Sequence, residues 1–429
     1  MEMSGGGLTP DALIALNEKA GKLYNEKKFK EALDLFDSLS DVPKELKPNH
    51  AKLNFYCGNA RKALDIMESI DFDGEPEPET LIDYGLYLGY NNREDEAYFL
   101  FKELAEKGNQ KAKFNNGWHE LLQGNFKEGF ASLQAGVDLN VWGNELAYVN
   151  QGILNRNKKW DGKSKVNKLL FILEGGAGDQ IIFFRFIQEA VKSCNHIIIA
   201  APQDMMRLLH DSLYFWSLTD DFTIVPLGAM AHIEYDAYLS SFQSVHIMDL
   251  DNPCRVEPGY IQPGKEAFIE HPLESLRREN GRPLIAAKYF GNQKYEHETF
   301  RKFPEERMME SLIKRGNVVN LQLDDDKYYN RTIPVNGIVN DWKSTACIIN
   351  ACDLVVSSCT AIAHVSAAMG KQTVVIVPKI SYFVWAAREE NMQWYGNNVK
   401  IIRQAEFGTW DNCFDELDLL LDSLGYIER

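Results

Sequence analysis

Two short stretches of this 429-residue chain combine residue types and spacings that suit chemistry on a charged ligand. In the first, the apolar run 168–173 (KLLFIL) leads into Glu174-Gly175-Gly176-Ala177-Gly178-Asp179 and then an apolar helical stretch, QIIFFRFIQEAV. Glycines at a strand-to-helix turn permit tight backbone geometry and let a ligand come close at Gly176 and Gly178. A dinucleotide fingerprint would require a third glycine three residues after Gly178, where Ile181 stands, and there is no P-loop sequence either. Nicotinamide binding is therefore not supported. Asp179 reads in two ways. It suits a helix N-cap for its own sake, and it suits a functional carboxylate at the C-terminal edge of a sheet, where open α/β domains bind ligands. A helix N-terminus should hold its pKa down and weaken it as a base.

The second stretch is DLVVSSCTAIAHVSAAMGK at 353–371. A buried strand runs into Ser357, Ser358, Cys359 and Thr360, and then into an Ala-rich helix that begins near Ala361. Free backbone N–H groups at such a helix start, with the dipole behind them, form a ready site for a diphosphate. His364 falls one turn in, where it could donate to a phosphate oxygen. Equally, Ser358 and Thr360 could serve as caps, with His364 as a core residue.

The elements that must position these groups follow from periodicity. Residues 1–140 carry a repeat, with helix-start positions Ala32, Ala63, Ala97 and Gly129 spaced 31, 34 and 32 residues apart. That matches the helical-hairpin period of about 34 residues in tetratricopeptide repeats. Four repeats are expected, the second degenerate in its first helix. Residues 141–166 read as a connector. From Lys168 onward, strand-like runs at 168–173, 196–201, 222–226 and 235–239 alternate with helical stretches. A second set follows at 284–289, 317–323, 353–357, 372–377 and 399–402. Continuous apolar strands alternating with helices imply parallel sheets buried on both faces. The expected fold class is thus α/β: all-α repeats, then two doubly wound Rossmann-like domains over 167–280 and 281–429, the last ending in an amphipathic helix.

Composition narrows the function further. A formal net charge of −16 disfavours bulk electrostatic binding of nucleic acid. Seven scattered cysteines, with no C-x-x-C pair, fit reduced thiols better than a zinc site or a disulfide framework. No apolar run approaches the roughly 18 residues of a membrane span, and the N-terminus lacks the pattern of a secretory signal. A cytoplasmic location is expected. Asp324-Asp325-Asp326 is suggestive of a metal site but reads as a solvated loop after a strand, and His271 and His297 have no partner at ligand spacing.

Together, WDG at 160–162, GGAGDQIIFFRF at 175–186, the 353–371 stretch and SYFVWA…WYGNNVKIIRQ at 381–404 resemble the family 9, heptosyltransferase-type, glycosyltransferases. The resemblance is strongest to the branch with N-terminal tetratricopeptide repeats and spans the whole chain in order. It implies a GT-B fold, with the nucleotide-sugar donor in the C-terminal domain and the acceptor in the N-terminal one. It also implies inverting, metal-independent transfer, with no cofactor beyond a nucleotide-diphosphate sugar as co-substrate.

Carried over position by position, Asp179 matches the general base, and Thr360, Ala361 and His364 match the donor-phosphate loop. Lys294 or Arg301 matches a basic residue after the first strand of the C-terminal domain. Gly176, Gly178, Gln322, Ser358 and Trp385 complete the expected nucleotide-sugar contacts, Trp385 as either a wall or a sugar platform. Where many members have Asp before the loop threonine, this chain has Cys359, which leaves the sugar and the nucleotide open. The expected acceptor is a glycan or protein hydroxyl, with the repeats binding acceptor or a protein partner. The alternatives are a transferase-like scaffold of weak or no activity working through its repeats, and another GT-B nucleotide-sugar enzyme such as an epimerase.

Overall fold

The computed structural model describes residues 9–72, 74–218, 221–255, 257–264, 281–293, 298–325, 327–386 and 394–428. They fall into two compact units. The first comprises the described residues up to Asn109 together with those of Asn292–Phe300. It consists of three helix pairs: α1 (Pro10–Asn25) with α2 (Phe29–Asp37), α3 (Lys47–Tyr56) with α4 (Ala60–Glu68), and α5 (Pro78–Tyr90) with α6 (Glu94–Glu106). The recurring small residues Ala32, Ala63 and Ala97 are all fully buried, so their helices approach closely. Aromatic side chains fill the space between pairs, with Phe55 centred 5.1 Å from Tyr87 and 5.0 Å from Tyr90. Phe300 joins this cluster, 4.9 Å from both Phe55 and Tyr90.

The second unit begins with a fourth helix pair, α7 (Gln110–Gln123) and α8 (Phe126–Asp138). The period placed this pair with the repeats up to residue 140, but it packs with the α/β part. A period reports the local hairpin and not the partner it packs against. Gly117 and Gly129 let the two helices touch: a Cβ at Gly117 would lie 2.9 Å from the Gly129 carbonyl oxygen. Phe126, Phe130 and Trp118 then pack on Trp394, Phe383 and Tyr382, with centroids 5.5 to 5.8 Å apart.

The remainder forms two all-parallel sheets with helices around them. In the first the order is β3 (Phe222–Pro226), β2 (Cys194–Ala201), β1 (Val166–Ile172), β4 (Ala237–Ser240). In the second it is β10 (Val399–Arg403), β9 (Thr373–Val377), β8 (Leu354–Ser358), β5 (Leu284–Lys288), β6 (Asn317–Asn320), β7 (Ile333–Pro334). Leu169 to Ile172 and Leu354 to Val356 are wholly buried, as a sheet covered on both faces requires. Helices α9 (Glu145–Asn150), α10 (Ala177–Phe184) and α11 (Met206–Phe215) go with the first sheet. Helices α12 (Glu306–Arg315), α13 (Trp342–Ala351), α14 (Ala361–Ala368) and α15 (Asp411–Ser423) go with the second. The amphipathic last helix, α15, packs on α12, where Ser311 donates to Asp418 and Arg315 pairs with Asp422 at 3.0 Å.

The two sheet layers are tied together within this unit. Lys343 pairs with Asp211 at 2.8 Å, Arg207 pairs with Asp341 at 2.9 Å, and the Gly259 amide donates to the Ala368 carbonyl at 2.6 Å.

The segment read as a connector is folded into the first sheet. Trp142 and Trp160 are core residues, and Trp142 stacks 4.1 Å from Phe242. Glu174, at the end of the β1 run, secures this arrangement. It accepts from the Asn144 amide at 2.9 Å and from the Ser240 hydroxyl, and its own amide donates to Ser241 at 3.1 Å. Burial raises its pKa from 4.5 to about 7, the two donated hydrogen bonds only partly opposing it. The folded carboxyl thus holds its proton better than the unfolded one, by about 3 kcal/mol. That stability is fully present below pH 4.5 and is lost as pH rises towards 7. Glu174→Gln should therefore flatten the melting temperature between pH 4.5 and 7 and raise it relative to wild type above pH 7. Parallel melting curves from pH 4 to 8 would refute this if the two proteins keep the same pH slope.

Candidate active site

The site forms where the turn after β1 meets the turn after β8. Gly175 sits at φ +79°, a conformation glycine adopts without the strain a Cβ brings, and a Cβ there would lie 2.5 Å from Phe242. Gly176, extended at φ −72° and ψ 168°, is the N-cap of α10. Asp179 is therefore not the N-cap but the third helical residue. Its Oδ2 accepts from the Gly176 amide at 2.9 Å, the backbone half of a capping box. Its Oδ1 accepts from the Tyr382 hydroxyl at 2.7 Å. One carboxylate thus joins the first helix of one sheet to a loop of the other. The pKa is raised, contrary to the helix-terminus expectation. Desolvation dominates, against the Tyr382 and Gly176 hydrogen bonds and the Arg301 charge, which all pull it down.

Across from Asp179, β8 ends at Ser358 and α14 starts at Ala361, with Thr360 as an extended N-cap (φ −132°, ψ 171°). Thr360 makes no capping bond to the helix. Its hydroxyl lies 3.0 Å from that of Ser357 instead, which leaves the first-turn amides uncapped by it. Ser358 is buried, and its hydroxyl has no partner among the described residues. The α10 and α14 starts nearly touch: a Cβ at Gly178 would lie 2.9 Å from His364 Cδ2, 3.5 Å from its Nε2 and 3.7 Å from the Ala361 Cα. Only a residue without a side chain fits there.

His364 is buried. It stacks on Trp385 at 4.5 Å with rings 26° apart, and its Nδ1 lies 3.0 Å from the Tyr395 hydroxyl. Its pKa falls to about 3, through desolvation first and then the charges of Arg185 and Arg301. At neutral pH it is uncharged, so any hydrogen bond it gives comes from a neutral ring.

The remaining expected residues divide. Arg301 comes to the site, donating through Nη1 to the Cys359 carbonyl at 3.0 Å. This contact uses the backbone at Cys359, where the resemblance leads one to expect Asp, so it does not depend on the side chain there. Trp385 is fully enclosed, which rules out an open sugar platform and makes it the wall behind His364. Its indole N–H has no partner among the described residues. Gln322 is occupied locally: Oε1 accepts from the Phe290 amide at 3.1 Å, and Nε2 donates to Asp324 at 2.5 Å. It fixes the loop after β5. Asp325 accepts from the Tyr289 hydroxyl at 3.2 Å and the Lys327 amide at 2.9 Å. Lys294, Asp326, His271 and His297 lie outside the described residues.

Sequence reasoning misses Tyr382, reads Tyr395 only as a core or cleft-wall aromatic, and misses Arg185. Each reaches the site only through tertiary packing, although the first two lie within the 381–404 stretch that carried part of the resemblance. Arg185 is wholly buried. It donates to the Trp394 carbonyl at 2.9 Å and to the Tyr260 hydroxyl at 3.0 Å, and lies 4.8 to 5.2 Å from the ring centroids of Tyr260, Tyr395 and Trp394. No carboxylate pairs with it among the described residues.

Comparison with known proteins gives likenesses at the level of structure alone. No protein-family model and no curated protein sequence matches the chain. A family 9 glycosyltransferase from Veillonella parvula aligns at TM-score 0.40 and 10% identity, over 63% of this chain and 92% of that one. E. coli ADP-heptose lipopolysaccharide heptosyltransferase II aligns at 0.38 and 14%, over 60% and 99%. A Thermobaculum terrenum O-GlcNAc transferase variant aligns at 0.36 and 12%, over 98% and 92%. The chain resembles family 9 glycosyltransferases.

Proposed function

We propose that this chain is a glycosyltransferase of GT-B architecture, with two Rossmann-like domains, tetratricopeptide-type repeats at its N-terminus, and inverting transfer without a metal. One observation carries the reading: a carboxylate of raised pKa stands beside an uncapped helix N-terminus, and the two come from different parallel sheets. Inverting transfer needs a base to take the proton of the acceptor hydroxyl as it attacks an oxocarbenium-like carbon. It also needs positive potential on the departing diphosphate. Asp179 supplies the first. The α14 N-terminus, Arg301 and a neutral His364 N–H supply the second, with Ser358 as a further hydroxyl beside the phosphates. The raised pKa makes Asp179 a stronger base than an exposed aspartate. The donor is a nucleotide sugar, the acceptor a glycan or protein hydroxyl, and the repeats bind acceptor or partner in the cytoplasm.

Metal independence is tested with nucleoside diphosphates (ADP, GDP and UDP) in a thermal-shift panel with chelator present. At least one should raise the melting temperature, because a ligand that binds only the native state stabilises it. Stabilisation that appears only with Mg²⁺ or Mn²⁺ would end the metal-free reading and return attention to Asp324 and Asp325.

Asp179→Asn keeps the size of the side chain and an oxygen for the Gly176 amide, but removes the proton acceptor. It should fold, bind nucleotide nearly as wild type does, and lose sugar transfer by at least about 10²-fold. Retained transfer would remove Asp179 from the mechanism.

The hydrogen bond from Tyr382 lowers the Asp179 pKa. Losing it in Tyr382→Phe should therefore move the acid limb of the kcat/KM profile to higher pH. A limb that stays in place, or moves to lower pH, would show that Asp179 does not set it.

A further inference from the structure

The proposed function asks His364 to donate a hydrogen bond, yet a neutral imidazole has one N–H and could carry it on either nitrogen. Neutral it must be, since burial and two nearby guanidinium groups oppose protonation. Which nitrogen holds the proton is settled by what faces Nδ1. That neighbour is the Tyr395 hydroxyl at 3.0 Å, which can either give or receive a hydrogen bond.

Arg185 removes the ambiguity. Its guanidinium has donors only; it lies 4.9 Å from the Tyr395 ring centroid and also hydrogen-bonds the Tyr395 hydroxyl, opposing the rise that burial causes in the tyrosine's pKa. A buried cation beside a phenol draws the oxygen lone pairs towards itself and turns the O–H away. Tyr260 fits the same polarity: it accepts from Arg185 Nη2 at 3.0 Å and passes its own proton to the Ile181 carbonyl at 3.1 Å. Tyr395 also shares a hydrogen bond with Tyr260. The Tyr260 oxygen already accepts from Arg185, however, and an imidazole nitrogen is the stronger acceptor, so the Tyr395 proton is directed to His364 Nδ1. Nε2 must then carry the ring N–H, on the edge that faces Gly178 at the start of α10. Trp385, stacked on the ring at 4.5 Å, opposes a flip that would put Cδ2 in place of Nδ1 and Cε1 in place of Nε2.

We infer that Arg185 and Tyr395 are positioning residues that fix His364 as an Nε2–H donor directed at the junction of the α10 and α14 N-termini. The role explains why a buried arginine with no carboxylate partner among the described residues is held among three aromatic rings. Paired with a carboxylate, its charge would be neutralised and the polarity of the chain would weaken. The inference rests on the proposed function for its purpose but not for its test, because the tautomer exists without any ligand.

The test is long-range ¹H–¹⁵N correlation of the imidazole rings in the ligand-free, full-length protein at pH 7, with the His364 signals identified by their loss in His364→Gln. Wild type should show the Nε2–H tautomer alone. Tyr395→Phe should convert His364 to a tautomer mixture, and Arg185→Gln, which removes the charge, should shift it in the same direction. Whichever of ADP, GDP or UDP binds wild type should bind Tyr395→Phe at least about threefold more weakly. An Nδ1–H tautomer in wild type, or an unmixed Nε2–H tautomer in folded Tyr395→Phe, would overturn the inference. A mixed tautomer with no nucleotide bound by any form would uphold the positioning role and count against the proposed function alone.

Discussion

Everything at this site depends on two helix N-termini brought within van der Waals contact, with Gly178 of one against His364 of the other. Each terminus carries about half a positive charge, so the approach is electrostatically unfavourable by itself. Arg185 and Arg301 add to the positive potential, as their joint effect on the His364 pKa records. Asp179 offsets part of it, accepting from the Gly176 amide at one helix start and from Tyr382 on the opposite side. The remaining positive excess favours an anion with more than one charge, and a diphosphate meets that requirement.

The rest of the unit can be understood as what holds this junction closed. Two parallel sheets present their C-terminal edges, and the Lys343–Asp211 and Arg207–Asp341 pairs bridge the layers. The α7–α8 pair packs its aromatic face on Tyr382, Phe383 and Trp394. Tyr382 itself binds Asp179, and Trp394 directly precedes Tyr395, whose hydroxyl lies 3.0 Å from His364 Nδ1. The fourth helix pair thereby braces the residues that touch Asp179 and His364. Glu174 does the same for the glycine turn, tying the 141–166 segment to the ends of β1 and β4.

Sequence pattern revealed the parts with strong local signals. Strands such as 353–357 and 372–377 stand out because they are buried on both faces, and the helical hairpins because small residues recur near 34-residue spacing. The glycine turn at 175–178 and the hydroxyl-rich turn at 357–360 were visible for the same reason: backbone geometry restricts which residues can stand there. Less was legible wherever the partner is distant in sequence. Asp179 looked like a base weakened by its helix, because the desolvation that raises its pKa, against the hydrogen bonds from Gly176 and Tyr382, is a property of the folded site and not of its helix. Arg185 passed as one polar residue in an apolar helix. Trp385, open in the sequence between a wall and a sugar platform, is a wall, and Gln322 spends its amide on its own loop.

The central claim is that a diphosphate sits on the α14 N-terminus beside Asp179. Site-resolved amide hydrogen exchange, with and without a stabilising nucleoside diphosphate, tests it most directly. The account expects slowed exchange at Ala361, Ile362 and Ala363, together with Gly176 to Asp179, and no change in α1 to α6. Protection confined to other segments, with 361–363 exchanging as before, would contradict it.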